Sequence, residues 1–176
     1  MDNRPVAVEL LSVRERPVAD ADIESLLEDA YVAGGFTPPE IARTAFVAST
    51  VRARGEILGA WAIDEAARFV GMVIVVFPAS PARRIARGDE AEIHLLAVSA
   101  RYRGAGVGRR LVEASEIAAR REGYDRVVLW TQPTMRAAQA LYASRGFLRA
   151  PERDADIARV TGRTFLVYEK ALGGSP

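Results

Sequence analysis

The apolar residues of the chain follow two spacings, one typical of strands and one typical of helices. Apolar runs rich in β-branched residues predict strands over residues 6–13, 57–63, 69–77, 91–98, 126–131, 147–150 and 164–171. Apolar positions at helical spacing predict helices from Asp20 or Asp22 to Gly34-Gly35, from Pro38-Pro39 toward Arg52, over 104–122, and from Pro133 to Arg145.

The order of these elements predicts an α/β fold with one mixed sheet. The strands at 57–63 and 69–77 are joined by the short polar segment 64–68, which favours an antiparallel hairpin. In the second half of the chain, strands and helices alternate, which favours a right-handed βαβ unit. No internal repeat or linker interrupts this pattern, so we expect a single domain over residues 1–176.

The composition is that of a soluble globular protein without a strong charge. The chain has 176 residues, of which 49% are hydrophobic and 27% charged, and its formal net charge is +1. This charge gives little attraction to nucleic acid or to an anionic membrane. The longest apolar stretch, 69–79, is too short to cross a bilayer as a helix, and residues 1–5 lack the order of a signal peptide. We therefore expect a cytoplasmic protein with no nucleic-acid and no membrane partner.

The available residue types limit the possible chemistry. The chain has no cysteine, which excludes disulfides, thiolate metal sites and a cysteine nucleophile. His94 is the single histidine, so a cluster of histidines cannot hold a metal, and we expect no metal. A Ser-His-Asp triad could use only His94, and no Gly-x-Ser-x-Gly motif accompanies it.

A glycine-rich segment, 103–110, lies between a predicted strand and a predicted helix. Gly104, Gly106 and Gly108 leave backbone N–H groups unscreened at the start of the helix, where the helix dipole also favours negative charge. Two known phosphate motifs do not fit. A dinucleotide fingerprint needs a third glycine where Arg109 stands, and a P-loop needs a lysine, whereas the chain has only Lys170.

The spacing that fits is Arg-x-x-Gly-x-Gly, and with it the chain resembles the GNAT superfamily of acyl-CoA-dependent N-acyltransferases. The resemblance rests on the segments 92–98 and 102–111, and on 138–147, which is similar to the family's Ala-x-x-Leu-Tyr-x-x-x-Gly-Phe. These motifs cover about the second half of the chain, and the first half matches in element order only. The resemblance implies a single-domain, mostly antiparallel mixed sheet flanked by helices, with a βαβ half that binds the cofactor.

The resemblance also implies the reaction and the donor site. In this family an acetyl group passes from acetyl-CoA, a cosubstrate, to a primary amine by direct attack in a ternary complex. The family's pyrophosphate-binding amides correspond here to Arg103, Gly104, Ala105, Gly106, Val107 and Gly108. The pantetheine arm of CoA would pair with the backbone of Leu96, Ala97 and Val98.

Two residues are predicted to be catalytic. Tyr142 matches the family's general acid, which donates a proton to the departing thiolate. Glu92 matches the spacing of the glutamate used as base in the histone-acetylating branch of the family. An alkylammonium is almost wholly protonated at pH 7, a deficit of roughly 4.6 kcal/mol, so a base beside the amine helps. His94 or water are the alternative bases. Alternation along the strand places His94 on the same face as Glu92, together with Leu96 and Val98, unless a β-bulge changes the facing of these residues.

The sequence leaves the acceptor open. The resemblance implies a small-molecule or peptide amine, which in related proteins lies near the positions of Tyr31, Gly34, Gly35 and Phe36. Arg83, Arg84 and Arg87 could meet a CoA phosphate or an anionic acceptor, or could be solvated loop residues. Met135 stands where the family often has an asparagine. We expect a monomer or a homodimer, and a non-catalytic acyl-CoA sensor is the alternative function.

Overall fold

The computed structural model describes residues 7–63 and 66–173. Within them seven strands form one sheet in the order β1-β2-β3-β4-β5-β7-β6. The strands are β1 Val8–Ser12, β2 Glu56–Ala62, β3 Phe69–Val76, β4 Glu90–Val98, β5 Arg126–Thr131, β6 Leu148–Arg149 and β7 Leu166–Ala171. Strands β4 and β5 pair in parallel and all other neighbours pair antiparallel, which confirms the mixed, mostly antiparallel sheet. Residues 1–6, with Val6 of the first predicted strand, and residues 64 and 65 of the predicted turn lie outside the described residues.

The α-helices are α1 Asp20–Leu27, α2 Pro39–Ala45, α3 Ala48–Arg52, α4 Val107–Arg121, α5 Arg136–Ser144 and α6 Asp154–Thr161. A π-helical turn, Glu28–Val32, extends α1. The prediction of one helix from Pro38-Pro39 to Arg52 is wrong, because Val47 is extended and separates α2 from α3. Glu24 on α1 accepts a hydrogen bond from the amide of Ala48 at 2.8 Å, which replaces the intrahelical partner lost at this break.

Three other boundaries differ from the sequence prediction. Helix α4 begins at Val107 rather than 104, because Gly104 and Gly106 have φ of 77° and 86°. Helix α5 begins at Arg136 rather than Pro133, because residues 132–135 form a turn closed by Met135 N and Gln132 O. Helix α6 was not predicted, although acidic residues in its first turn and Gly162 after its end are typical helix signals.

The sheet carries helices on both faces. Strand β3 alternates: Val73 and Val75 pack with α4, while Ile74 and Val76 pack with α1, α2 and α3. A third apolar cluster joins β5 and β7 to α6 on the same face as Glu92, since Glu92 pairs with Val128, a member of that cluster. We call the face of the sheet that packs with α4 the α4 face, and the opposite face, which packs with α1, α2, α3 and α6, the α1 face.

A β-bulge divides β4. His94 pairs with Ile74 and Ala97 pairs with Met72, so two residues of β4 oppose one residue of β3. Leu95 has φ of 48°, in the left-handed region that costs a non-glycine residue roughly 1–2 kcal/mol. Glu92 and His94 lie on the α1 face, as their partners in β3 do. Leu96 and Val98 instead pack with the α4-face cluster, so the prediction that all four share one face is wrong beyond His94.

The sheet opens between its two parallel strands. The last parallel pair joins Ile93 to Leu129, although β4 continues to Val98 and β5 to Thr131. Beyond that pair the strands do not bond to each other. This opening, which we call the cleft, allows side chains from both faces of the sheet to reach one cavity.

Candidate active site

The glycine loop, residues 103–108, presents a row of backbone amides. Among the described residues, none accepts a hydrogen bond from the amides of 104–109, and the first amide with a partner is that of Arg110, bonded to Gly106 O at 3.1 Å. No side chain of the described residues caps α4. A Cβ at Gly106 would meet nothing within 4 Å. Free amides, the N-terminus of a long helix and open space together suit an anion such as a pyrophosphate.

This loop borders a groove of about 700 Å³. Leu96 and Val98 form one side of the groove and the exposed face of α5 forms the other. Arg103, Arg109 and Arg136 also line it, and all three are exposed. The groove therefore combines apolar walls with a cationic rim, as a long ligand with phosphates at one end requires. We call it the donor groove.

Tyr142 lies where the donor groove meets a second cavity. This inner cavity, of about 180 Å³, shares Tyr31, Leu96, Met135 and Ala138 with the donor groove and also contains Tyr142. Tyr142 is buried, and no described residue makes a hydrogen bond to its hydroxyl group. Burial raises the pKa of Tyr142 well above its usual range, so its phenol keeps its proton at physiological pH.

Tyr31 is a second tyrosine at this junction, and sequence reasoning placed it only near the acceptor. Its hydroxyl donates to the carbonyl oxygen of Leu96 at 2.9 Å. Its pKa is raised by burial and, to a lesser degree, by the neighbouring Tyr142. In the same segment, Arg103 Nε donates to Val98 O at 3.0 Å, so side chains fix two carbonyl groups of 96–98.

His94 lines the inner cavity from the opposite side of the sheet. Because the sheet opens at the cleft, His94 on the α1 face and Tyr142 on the α4 face border the same space. His94 Nε2 is 2.7 Å from Glu92 Oε2, and Trp130 packs edge-on against the imidazole with ring centroids 4.6 Å apart. The hydrogen bonds of the described residues leave His94 Nδ1 without a partner. Burial holds the pKa of His94 below its usual value, despite the opposing effect of Glu92, so the ring is neutral at physiological pH.

Glu92 is placed behind His94 and lines none of the cavities that border His94. Its side chain is fully buried. The carboxylate accepts hydrogen bonds from the amides of Arg84, Ile85 and Ala86 as well as the contact with His94. Burial by itself would raise the pKa of Glu92, but the interactions with His94 and the backbone amides outweigh it and hold the pKa below its usual value. Glu92 is thus an ionised carboxylate that orients His94 and fixes the loop before β4.

A third cavity, of about 390 Å³, continues outward from the inner one. The two share His94, Trp130, Arg54 and Arg163, among other residues. The cavities therefore form a path across the sheet, from the donor groove past Tyr142 and His94 to the α1 face. We call the third cavity the outer cavity.

Of the remaining predicted residues, Gly34 and Gly35 line none of the three spaces. Arg84 lines the outer cavity, whereas Arg83 and Arg87 line none of the three spaces. Met135 faces the junction, and its sulfur accepts a hydrogen bond from Thr131 Oγ1 at 3.4 Å. Phe36 borders the donor groove, and its carbonyl oxygen accepts a hydrogen bond from Gln132 Nε2 at 2.7 Å.

Sequence reasoning missed Arg54, Trp130 and Arg163. They come from the turn before β2, from β5 and from the segment after α6, and no local motif marks any of them. In the described part of the chain, no group of three or more His, Asp or Glu side chains could hold a metal ion, and no helix is long and apolar enough to span a bilayer.

Known proteins resemble this chain in both sequence and fold. The model of the acetyltransferase (GNAT) family matches residues 21–147. A mycothiol acetyltransferase of Jonesia denitrificans is 36% identical over 101 residues, which make up 57% of this chain and 29% of that protein. The chain thus spans less than a third of that relative.

Two solved structures show the same fold. A GNAT-family acetyltransferase of Staphylococcus aureus Mu50 superposes with a TM-score of 0.72 at 12% identity, covering 95% of this chain and 100% of that chain. An acetyltransferase of Bacillus subtilis, solved in complex with CoA, gives a TM-score of 0.61 at 18% identity and covers 94% of this chain and 98% of that chain. Because the family model matches most of its length, the chain belongs to the acetyltransferase (GNAT) family.

Proposed function

We propose that the protein transfers an acetyl group from acetyl-CoA to a primary amine by direct attack within a ternary complex. One observation carries this proposal. The phenol of Tyr142 and the imidazole of His94 border a single small cavity, which joins the donor groove on one side and the outer cavity on the other. A donor entering from one face of the sheet and an acceptor entering from the other would meet there.

The donor groove suits the cosubstrate. The free amides of 104–109 and the helix dipole favour the pyrophosphate, and Arg109 and Arg136 lie within the same groove. Segment 96–98 runs from the loop to the inner cavity, as a pantetheine arm would. The carbonyls of Leu96 and Val98 already accept one hydrogen bond each, and each keeps a second lone pair for a ligand N–H group.

His94 is the group that we propose to receive the proton of the attacking amine. The ionised Glu92 fixes a hydrogen on Nε2, which leaves the lone pair on Nδ1 as the acceptor. When that proton arrives, the imidazolium forms beside a carboxylate that stabilises it. Glu92 as the direct base stays a prediction, but its four hydrogen-bond partners and its lowered pKa favour a positioning role.

Tyr142 is the group that we propose to donate a proton to the leaving thiolate. Its hydroxyl group has no partner among the described residues, and its raised pKa keeps the proton in place until a strong acceptor develops beside it. The amine forms the new N–C bond, the C–S bond breaks, and the sulfur takes the phenol proton. His94 holds the proton lost by the amine, so the charges balance.

Thiol release tests this proposal. Purified protein is mixed with acetyl-CoA and a panel of primary amines, and free CoA is measured with a thiol reagent. The protein adds no background because it contains no cysteine. We expect thiol release that depends on an amine, with one N-acetylated product per thiol. Saturable acetyl-CoA binding without release for any amine would instead support the sensor alternative.

A further inference from the structure

Three arginine side chains converge on the outer cavity. Arg54, Arg84 and Arg163 line it, and Arg54 and Arg163 also reach the inner cavity beside His94. Arg54 and Arg84 are close enough to repel each other, and this repulsion adds to burial in lowering the pKa of Arg54. Like charges brought together in one partly buried space need a compensating anion.

The part of the chain that the structure describes supplies no such anion. Within the described residues, none of the three guanidinium groups has a carboxylate within 4 Å. Arg54 donates to the carbonyl of Ala45 at 2.8 Å, and Arg163 donates to the carbonyl of Phe36 at 3.5 Å. Glu92 is the nearby carboxylate, and its oxygens are taken by backbone amides and by His94.

Among the described residues, the other half-buried arginines each pair with a carboxylate, and so does the fully buried Arg153. Arg153 contacts Glu90 at 2.8 Å and Glu169 at 2.9 Å, and Arg145 contacts Glu116 at 3.0 Å. Arg54 and Arg163 are half-buried and contact no carboxylate of the described residues, so they are exceptions, and the exposed Arg84 adds a third positive charge to the same cavity. An exception of this kind, at the mouth of a cavity that leads to His94, points to a ligand.

The donor is not that ligand. Neither Arg54, Arg84 nor Arg163 borders the donor groove, which has its own arginines. Apart from the arginines and His94, the lining of the outer cavity is mostly apolar and aromatic, with Thr37 and Thr161 as its polar members and with Ile41, Ala45, Phe46, Trp130 and Phe165 among its apolar ones. A ligand here thus meets guanidinium groups, an aromatic surface and, farther in, the imidazole of His94.

We propose that the acceptor is a small amine that also carries a carboxylate and an apolar side chain, as an apolar α-amino acid does. This inference rests on the proposed function, because it names the acceptor of that reaction. The guanidinium groups of Arg54 and Arg163 bind the carboxylate, the aromatic walls contact the side chain, and the amine is directed at His94. Arginine suits this role because its planar fork matches the two oxygens of a carboxylate.

Paired acceptors test the carboxylate directly. Leucine, methionine, phenylalanine and tryptophan are each compared with the corresponding amino-acid amide, which keeps the amine and the side chain but lacks the negative charge. The amine of the amide is the less basic one, so chemistry alone favours the amide. We expect kcat/KM to favour the acid by at least about 30-fold for one or more pairs, the equivalent of losing a charged hydrogen bond or two. Equal or greater use of every amide would overturn the inference and leave the proposed function standing.

Arginine variants locate the effect. Arg163→Gln and Arg54→Gln should raise KM for the preferred acid by about 10- to 100-fold and change KM for its amide by less than about twofold. Arg43→Gln, an exposed arginine of α2 that borders none of the three cavities, is the matched control and should leave both values unchanged. Parallel losses for acid and amide would assign the arginines a structural role and contradict the inference.

Binding separates this inference from the proposed function. Calorimetric titration of the four amino acids into the protein with CoA present needs no turnover. Binding that Arg163→Gln weakens about 10-fold or more, without thiol release, would support the anion site and count against the transferase. Absence of both binding and turnover for all four acids would refute the proposed acceptor class, whichever other amine is acetylated.

Discussion

The two ends of the cleft present positive charge in different ways. At the donor end, the proposed phosphate site is built from backbone, namely the free amides of 104–109 and the N-terminus of α4, and arginine side chains only border it. At the proposed acceptor end, the charge comes from the side chains of Arg54, Arg84 and Arg163. One short stretch of chain supplies these amides, whereas three stretches separated by dozens of residues supply the arginines of the proposed acceptor end.

This difference determines how each end can be altered. A backbone site changes only when the path of the chain or the space above it changes, so its sensitive positions are glycines. A side-chain site loses one charge at a time with little effect on the fold. Substitutions at glycines should therefore act as all-or-none changes in donor binding, and substitutions at the acceptor end should act as graded changes in affinity and pH dependence.

The largest expected effect is at Gly106. Gly106→Glu should abolish saturable CoA binding, because the new carboxylate occupies the space above the amides and repels the phosphates. Gly123→Glu is the matched control: it lies beyond the other end of α4, has φ of 83° against 86° at Gly106, and also has open space around it. Both variants should lose roughly 1–2 kcal/mol of stability from backbone strain. Calorimetry and thermal unfolding measure the two effects, and normal CoA affinity in folded Gly106→Glu would contradict the phosphate cradle.

Tyr142→Phe comes next and tests the junction of the two ends. Loss of a general acid should reduce kcat by about 100- to 10,000-fold with little change in CoA affinity. Tyr124→Phe is the control, since Tyr124 stacks on Phe77, borders none of the three cavities, and has a hydroxyl group with no partner among the described residues. Steady-state thiol release and CoA titration separate turnover from binding. Unchanged kcat in the phenylalanine variant would remove the acid role.

The same contrast explains how much the sequence could predict. The glycine loop and the segment around Tyr142 are local patterns, so the family, the sheet and the donor groove follow from them. The β-bulge at Leu95 could not be located from the sequence, because residues 93–98 are a nearly continuous apolar run in which a change of face leaves no signal. Arg54 and Arg163 could not be grouped either, since only the complete fold brings the turn before β2 next to the segment after α6.

Glu92→Gln distinguishes the two possible bases through the pH profile. If His94 is the base, kcat/KM should fall by about tenfold at neutral pH, roughly one pKa unit of lost stabilisation of the imidazolium. The acid limb of the profile should also move to lower pH, because Glu92 raises the pKa of His94. If Glu92 is the base, the limb should disappear and the loss should reach about 100-fold or more. Glu113→Gln, an exposed residue of α4, serves as the control.

The same variant should also be less stable. The lowered pKa of Glu92 means that its ionised form stabilises the folded state at neutral pH, and that this contribution is lost as the pH falls through the lowered pKa. Urea unfolding should therefore show a deficit of about 1–3 kcal/mol for Glu92→Gln at neutral pH that narrows in acid. A deficit that does not change with pH would show that the hydrogen bonds, rather than the charge, carry the stabilisation.

Tyr31→Phe should have the smallest effect, at the boundary between the two ends. Its hydroxyl group is the donor that holds the Leu96 carbonyl, within the segment proposed to pair with the pantetheine arm. Removing it frees one lone pair but leaves the segment less well fixed, at a cost of about 0.5–1.5 kcal/mol in stability. If the bond positions the segment for the donor, CoA affinity should fall by about two- to tenfold while the KM of the acceptor is kept. A changed acceptor KM with normal CoA affinity would show that Tyr31 contributes to acceptor binding rather than to donor binding.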